Sequence, residues 1–173
     1  MSEKTEKFRT VKRVTQYALL SIMLMTVLFI FYNSTLPPEK SQGQSDTIKD
    51  VIIEVLPDNS PSENFVEEYI RKIAHFSEYG LLGVEVAIYL IFFERRRLAF
   101  SPIALLLPLL VGFIDESIQS LSDRGPTIAD VWIDIGGFAT FFLLTFAVFG
   151  AAVLVIIVVK KVRGKKEIIT DTE

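Results

Sequence analysis

The 173-residue sequence has no cysteine, one histidine and one tryptophan. Without cysteine there is no disulfide framework and no thiolate for nucleophilic or metal chemistry. A glycine-rich phosphate cradle is also missing, which removes nucleotide and acyl-coenzyme sites of that kind. Ser77, Ser117 and Ser120 stand near other polar residues, but none sits in a nucleophile-elbow sequence. Charge of one sign is lacking as well: 18 basic residues face 21 acidic ones, for a net charge of −3. A nucleic-acid binder with a basic face is therefore excluded.

Half of the residues are apolar, and they are segregated from the charges. Residues 14–32 run for 19 positions without a charge, and 98–114 for 17. Residues 135–159 extend the pattern to 25, while 73–93 are as long but contain His75, Glu78 and Glu85. A bilayer core of about 30 Å takes about 20 apolar residues at about 1.5 Å each. The pattern predicts an all-α, polytopic integral membrane protein with four transmembrane helices, near 14–32, 61–93, 98–121 and 130–159. The first is longer than a signal-peptide apolar core of roughly 7 to 15 residues and no A-x-A-like site follows it, so it reads as an uncleaved span.

Orientation follows from lysine and arginine. The tail 1–13, the turn Arg95-Arg96-Arg97 and the tail 160–173 together hold 13 of the 18 basic residues. These segments lie on one side of a four-helix hairpin topology, which predicts cytoplasmic N and C termini. Loops 33–60 and 122–130 then face outward. Within the first loop, Ile48, Val51, Ile52 and Val55 have amphipathic-helix spacing, and Ser60-Pro61-Ser62-Glu63 reads as a capping box opening the second span. Pro102 and Pro108 are expected to kink the third helix, and Trp132 to anchor the fourth at the outer interface.

Ionisable groups within a bilayer cost at least about 2.5 to 3.5 kcal/mol each on insertion scales, so their placement carries information. Arg71, His75, Glu78 and Glu85 are separated by 4, 3 and 7 residues and form one helical stripe, with Lys72 beside it. Asp115 and Gln119 are four apart with Glu116 adjacent, and Asp130 and Asp134 are four apart. All except Glu85 belong near the outer ends of helices two, three and four, with Arg124 in the connecting loop. The first helix is expected to contribute almost nothing polar. The arrangement predicts an outward-opening polar pocket lined by Arg71, Lys72, His75, Glu78, Asp115, Glu116, Gln119, Arg124, Asp130 and Asp134. Glu85, about 15 Å deeper than His75 by helical rise, is expected to be a neutral carboxyl satisfied by a neighbour.

Three blocks carry a resemblance. They are Arg71-Lys72-Ile73-Ala74-His75-Phe76-Ser77-Glu78-Tyr79, Asp115-Glu116-Ser117-Ile118-Gln119, and Arg124 followed by Asp130-Val131-Trp132-Ile133-Asp134 and Gly136-Gly137. In kind and order they resemble the VanZ-like family of bacterial membrane proteins over roughly residues 30 to 140. The resemblance implies a bacterial plasma-membrane protein. The family is named for a protein linked to low-level teicoplanin resistance and has no assigned biochemical activity.

Three readings of the polar residues follow. The first is a staple, with Arg71 or Lys72 on Asp130, Arg124 on Asp115 or Glu116, and His75 on Glu78 or Asp134. The second, which is favoured, is a binding pocket for an anionic, lipid-linked cell-wall precursor or a glycopeptide, since arginine matches phosphate and carboxylate geometry. The third is an intramembrane hydrolase or transferase in which His75, Glu78 and Asp115 are the candidate proton-transfer groups. A metal site built from His75, Glu78, Asp115, Glu116 and Asp134 is a further alternative, but a single histidine among carboxylates suits structural zinc poorly and calcium, magnesium or manganese little better, so no metal and no cofactor are assigned. Membrane lipids are the expected partners, and nucleic acid is not. A transporter is disfavoured because the halves show no internal repeat and the stripe does not continue inward.

Overall fold

The computed structural model describes residues 3–35, 63–93, 102–121 and 128–170, with side chains described over slightly narrower ranges. These residues form four α-helices: α1 (Glu3–Thr35), α2 (Glu63–Phe93), α3 (Pro102–Leu121) and α4 (Ile128–Thr170). No strand occurs among the described residues. Three helices contain stretches long and apolar enough to cross a membrane: Thr5–Thr35, Glu68–Phe93 and Ala129–Lys161.

The helices overrun the apolar blocks at the chain ends. α1 begins within the expected tail 1–13, and α4 continues through most of the expected tail 160–173. The cause is local. Lys, Arg and Glu are good helix formers, and neither tail contains a proline to stop propagation from the apolar segment. α3 begins at Pro102, so that proline opens the helix instead of kinking it; Pro108 alone lies inside. The amphipathic segment near 45–56, most of the capping box, the Arg95-Arg96-Arg97 turn and Arg124 lie outside the described residues.

Contacts along the bundle give the direction of each helix. Gln16, Thr26 and Asn33 of α1 meet Tyr89, Glu85 and Glu78 of α2, so the two run antiparallel. α2 and α4 run parallel: Arg71 meets Asp130, His75 meets Asp134, and Phe92 meets Phe149. His75 of α2 also meets Asp115 near the far end of α3, and Gly112 of α3 lies beside Tyr79, so α2 and α3 are antiparallel. The C-terminal ends of α1 and α3 and the N-terminal ends of α2 and α4 therefore gather at one end of the bundle.

The most extensive contact joins α2 to α4. Two glycines allow it. A Cβ on Gly83 would collide with the Phe138 carbonyl oxygen, and one on Gly137 with the Phe76 carbonyl oxygen. Each helix thus presses its backbone against the other's at one hydrogen-only position, the small-residue packing that holds helices together in lipid. At and beyond this crossing the core is largely apolar, with Thr26 and Glu85 the buried polar pair. Tyr79, Leu82, Val86 and Leu90 of α2 pack with Ile30 of α1, Val111 of α3 and Phe138 of α4. Phe138, Phe142 and Phe146 continue as a run of rings at centroid separations of 5.6 and 5.0 Å.

The outer faces are apolar too. Leu20, Leu24, Leu28, Leu109, Leu143, Leu154 and Ile157 are exposed, as is Trp132. Contiguous apolar surface on this scale is foreign to a soluble monomer and suits a lipid environment.

The glycine crossing yields a stability prediction. Gly83→Ala and Gly137→Ala each place a methyl against backbone that cannot yield, and overpacking typically costs about 1 to 3 kcal/mol. Gly150→Ala, where nothing lies within 4 Å of an added Cβ, is expected to be neutral or slightly stabilising. Thermal unfolding of the detergent-purified variants measures both. A Gly137→Ala midpoint equal to that of Gly150→Ala would refute the crossing.

Candidate functional site

At the gathered end, three helices bring polar side chains together. The spacing of four residues between Arg71 and His75 on α2 equals that between Asp130 and Asp134 on α4. Because the helices run parallel, the two pairs meet with the same sequence offset. Arg71 Nη2 donates to Asp130 Oδ2 at 3.3 Å, with the arginine side chain one-third exposed. One turn further in, His75 Nδ1 lies 3.6 Å from Asp134 Oδ1 and 3.6 Å from Asp115 Oδ2 of α3. Asp115 and Asp134 are fully buried, whereas the imidazole remains 14% exposed.

Asp115 is the best supported of these groups. Gln119 Nε2, one turn along α3, donates to its Oδ2 at 3.0 Å. Ser34 Oγ of α1 contacts its Oδ1 and also lies 3.0 Å from the Ile30 carbonyl oxygen. Asp134 has no such support: neither of its oxygens has a hydrogen-bond partner. His75 Nδ1 and the buried Tyr79 hydroxyl are likewise without one. Tyr79 Oη and Asp134 Oδ2 converge on Gly112, each 3.8 Å from where its Cβ would stand. Buried polar atoms are seldom left without partners, so four in one place mark the centre as poised for something beyond packing.

Other residues of the expected pocket are disposed differently. Lys72 turns back along its own helix to Glu68 and does not reach Asp130. Glu78 faces α1, where Asn33 Nδ2 donates to its Oε1 at 2.7 Å, and does not pair with His75. Glu116 is buried beside Asp115 on α3. Glu85, deeper in the bundle, accepts from Thr26 Oγ1 at 2.8 Å. A groove of about 440 Å³ between α1 and α2, lined by Met25, Thr26, Phe29 and Leu81 among others, reaches Glu78.

The expectation that the first helix adds almost nothing polar is corrected here. Gln16, Thr26, Asn33 and Ser34 all reach partners on α2 or α3. Tyr32-Asn33-Ser34 agrees weakly with the family's sequences, but the partners of these uncharged residues were not legible, because Ser and Thr in apolar helices ordinarily bond back to their own backbone. Their spacing of 7 between Thr26 and Asn33, matching that between Glu78 and Glu85, is the signal the sequence held.

These clasps lend themselves to double-mutant analysis. The Thr26–Glu85 pair, probed with Thr26→Val and Glu85→Leu, is expected to show a coupling of about 0.6 kcal/mol and no more than about 1.7 kcal/mol. Unfolding of the single and double variants in one detergent gives the value; zero coupling would mean the contact does not hold α1 in place.

The sequence blocks that carry His75, Asp115 and Asp134 are those of the resemblance noted above. No curated protein and no solved structure matches the chain. A family model described as VanZ/LLP1 matches residues 17–157, which takes in the described parts of all four helices from the start of the apolar segment of α1 to near the end of that of α4. The chain belongs to the VanZ-like family.

Proposed function

We propose that the protein is a four-span protein of the bacterial plasma membrane, with both termini cytoplasmic, whose polar end faces outward and binds an anionic envelope ligand. The 20 residues of α3, at about 1.5 Å each, match the thickness of the bilayer core and supply the fourth span. The alternating helix directions suit four successive crossings, and the basic segments then fall on the cytoplasmic side. Through this site the protein contributes to tolerance of the glycopeptide teicoplanin or to cell-envelope homeostasis. The ligand is a lipid-linked cell-wall precursor or the glycopeptide itself.

The observation that carries this reading is the Arg71–Asp130 pair, partly exposed and one helical turn above the buried His75, Asp115 and Asp134. A guanidinium held by one carboxylate at the rim can exchange that partner for a ligand phosphate or carboxylate, and its planar fork suits either. Lys72 and Arg124 are the further cations we assign to the same ligand, and Glu116 and Gln119 belong to the α3 side of the site, whereas Glu78 faces α1. The second reading is an intramembrane hydrolase or transferase acting on a lipid-linked substrate. The flanking of His75 Nδ1 by two carboxylates favours it, because that setting suits a general acid or base.

Binding to purified protein in nanodiscs discriminates these. Arg71→Gln is expected to weaken binding of a lipid-linked precursor about ten- to a hundredfold, the loss of one charge-assisted hydrogen bond. Asp130→Asn, which releases Arg71, is expected to leave binding equal or tighter. The proposal fails if neither precursor nor teicoplanin binds and Arg124→Ala leaves drug tolerance unchanged at normal membrane abundance. Turnover of a lipid substrate that disappears in His75→Ala would establish the enzymatic reading instead.

A further inference from the structure

The centre of the site has a geometry that hydrogen bonding does not explain. His75 Nδ1 is 3.6 Å from one oxygen of Asp115 and 3.6 Å from one oxygen of Asp134. Hydrogen bonds between nitrogen and oxygen span about 2.7 to 3.2 Å, and one imidazole nitrogen has only one proton to give. Two neighbouring ligands of a four-coordinate ion with bonds of about 2.0 to 2.1 Å are instead separated by about 3.3 to 3.5 Å. One donor atom from each of His75, Asp115 and Asp134 lies within 4.8 Å of the others, and each comes from a different helix. We propose that these three side chains form the protein ligands of a divalent transition-metal ion.

Two further observations point the same way. Asp134 is fully buried with both oxygens unpartnered, and the equally buried Tyr79 hydroxyl beside it is unpartnered as well. Tyr79 is not one of the three ligands, and its buried hydroxyl, without a close hydrogen-bond partner, is turned toward the same place as Asp134 Oδ2. Charge gives the second. As ligands, with both carboxylates ionised and the imidazole neutral, the three side chains would sum to −2 in a region of low dielectric, a charge that a dication cancels where it arises. Arg71, the nearest cation along the α2 stripe, is engaged by Asp130.

The surroundings resemble the outer sphere of a metal site. Asp115 is held by Gln119 and Ser34, which fixes its carboxylate plane. Three protein ligands leave a coordination position for water, the arrangement of an open site. The partial exposure of His75 leaves a route to the imidazole side of the cluster. Of the five candidate ligands in the sequence, the fold brings together His75, Asp115 and Asp134, while Glu78 faces away to α1.

The inference goes beyond ligand binding at Arg71 and is tested without any envelope ligand. Full-length protein in detergent is stripped with chelator, loaded with zinc or manganese, washed, and assayed for metal per chain. About one equivalent is expected, with a raised unfolding midpoint and, after cobalt(II) loading, the visible absorption of a four-coordinate ion. Gln119→Ala is expected to lower affinity about tenfold to a hundredfold, as loss of an outer-sphere partner does, and His75→Ala and Asp134→Asn by more. Glu85→Gln, a carboxyl buried elsewhere on α2, is expected to retain the full equivalent. Wild-type protein that holds no metal after loading overturns the inference. So does stoichiometry unchanged in both His75→Ala and Asp134→Asn. Should those variants fail to fold, the cobalt spectrum and the chelator sensitivity of the wild-type midpoint decide the matter alone.

Discussion

The backbone crossing of α2 and α4 is the constraint on which the rest of the structure depends. Gly83 and Gly137 bring the two helices into direct main-chain contact at points where no other residue fits. That contact fixes how far one helix can slide along the other. With the slide fixed, the equal four-residue steps of Arg71/His75 and Asp130/Asp134 fall level, and one turn of displacement would pair His75 with Asp130, set Asp134 level with Tyr79 and leave Arg71 without its carboxylate. In lipid, where burial of apolar surface gives no preference for one register over another, shape at glycines is a strong way to specify one.

A second consequence concerns α3. It touches α2 little and reaches the bundle mainly through α1 and α4. Its polar end is held by Asp115, which meets Ser34 on one side and faces His75 and Asp134 on the other. The buried aspartate is therefore both a functional candidate and the place where three other helices sense α3. Replacing it separates those roles only when the protein is weighed as well as assayed.

Much of this was legible in the sequence. Uncharged blocks of bilayer length marked the helices, and the i, i+4 steps of His75, Asp115 and Asp134 with their neighbours marked the faces that converge. The partners were less legible. Lys72 chose Glu68 over Asp130, and Glu78 chose Asn33 over His75. Each choice depends on the rotation of α2 about its axis, which spacing along one helix does not determine. The helical tails were missed for a different reason: hydropathy reports where lipid ends, whereas helix propensity decides where the helix ends, and residues rich in Lys and Glu carry it further.

The polar clasps of α1 also bear on the order in which the protein is made. Thr26 and Asn33 find partners on the next helix, but the partner of Ser34 is 81 residues away, on a helix synthesised much later. During biogenesis α1 must rest in the bilayer before Asp115 exists. Residues 14–35 of α1 carry no charge, and Ser34 already reaches the Ile30 carbonyl one turn back, so the hydroxyl is satisfied while it waits. The site's carboxyl groups and its histidine come later in the chain, on helices that meet a neighbour already made. Nascent-chain insertion and final assembly thus make compatible demands on this sequence, the cheap polar groups arriving first and the expensive ones last.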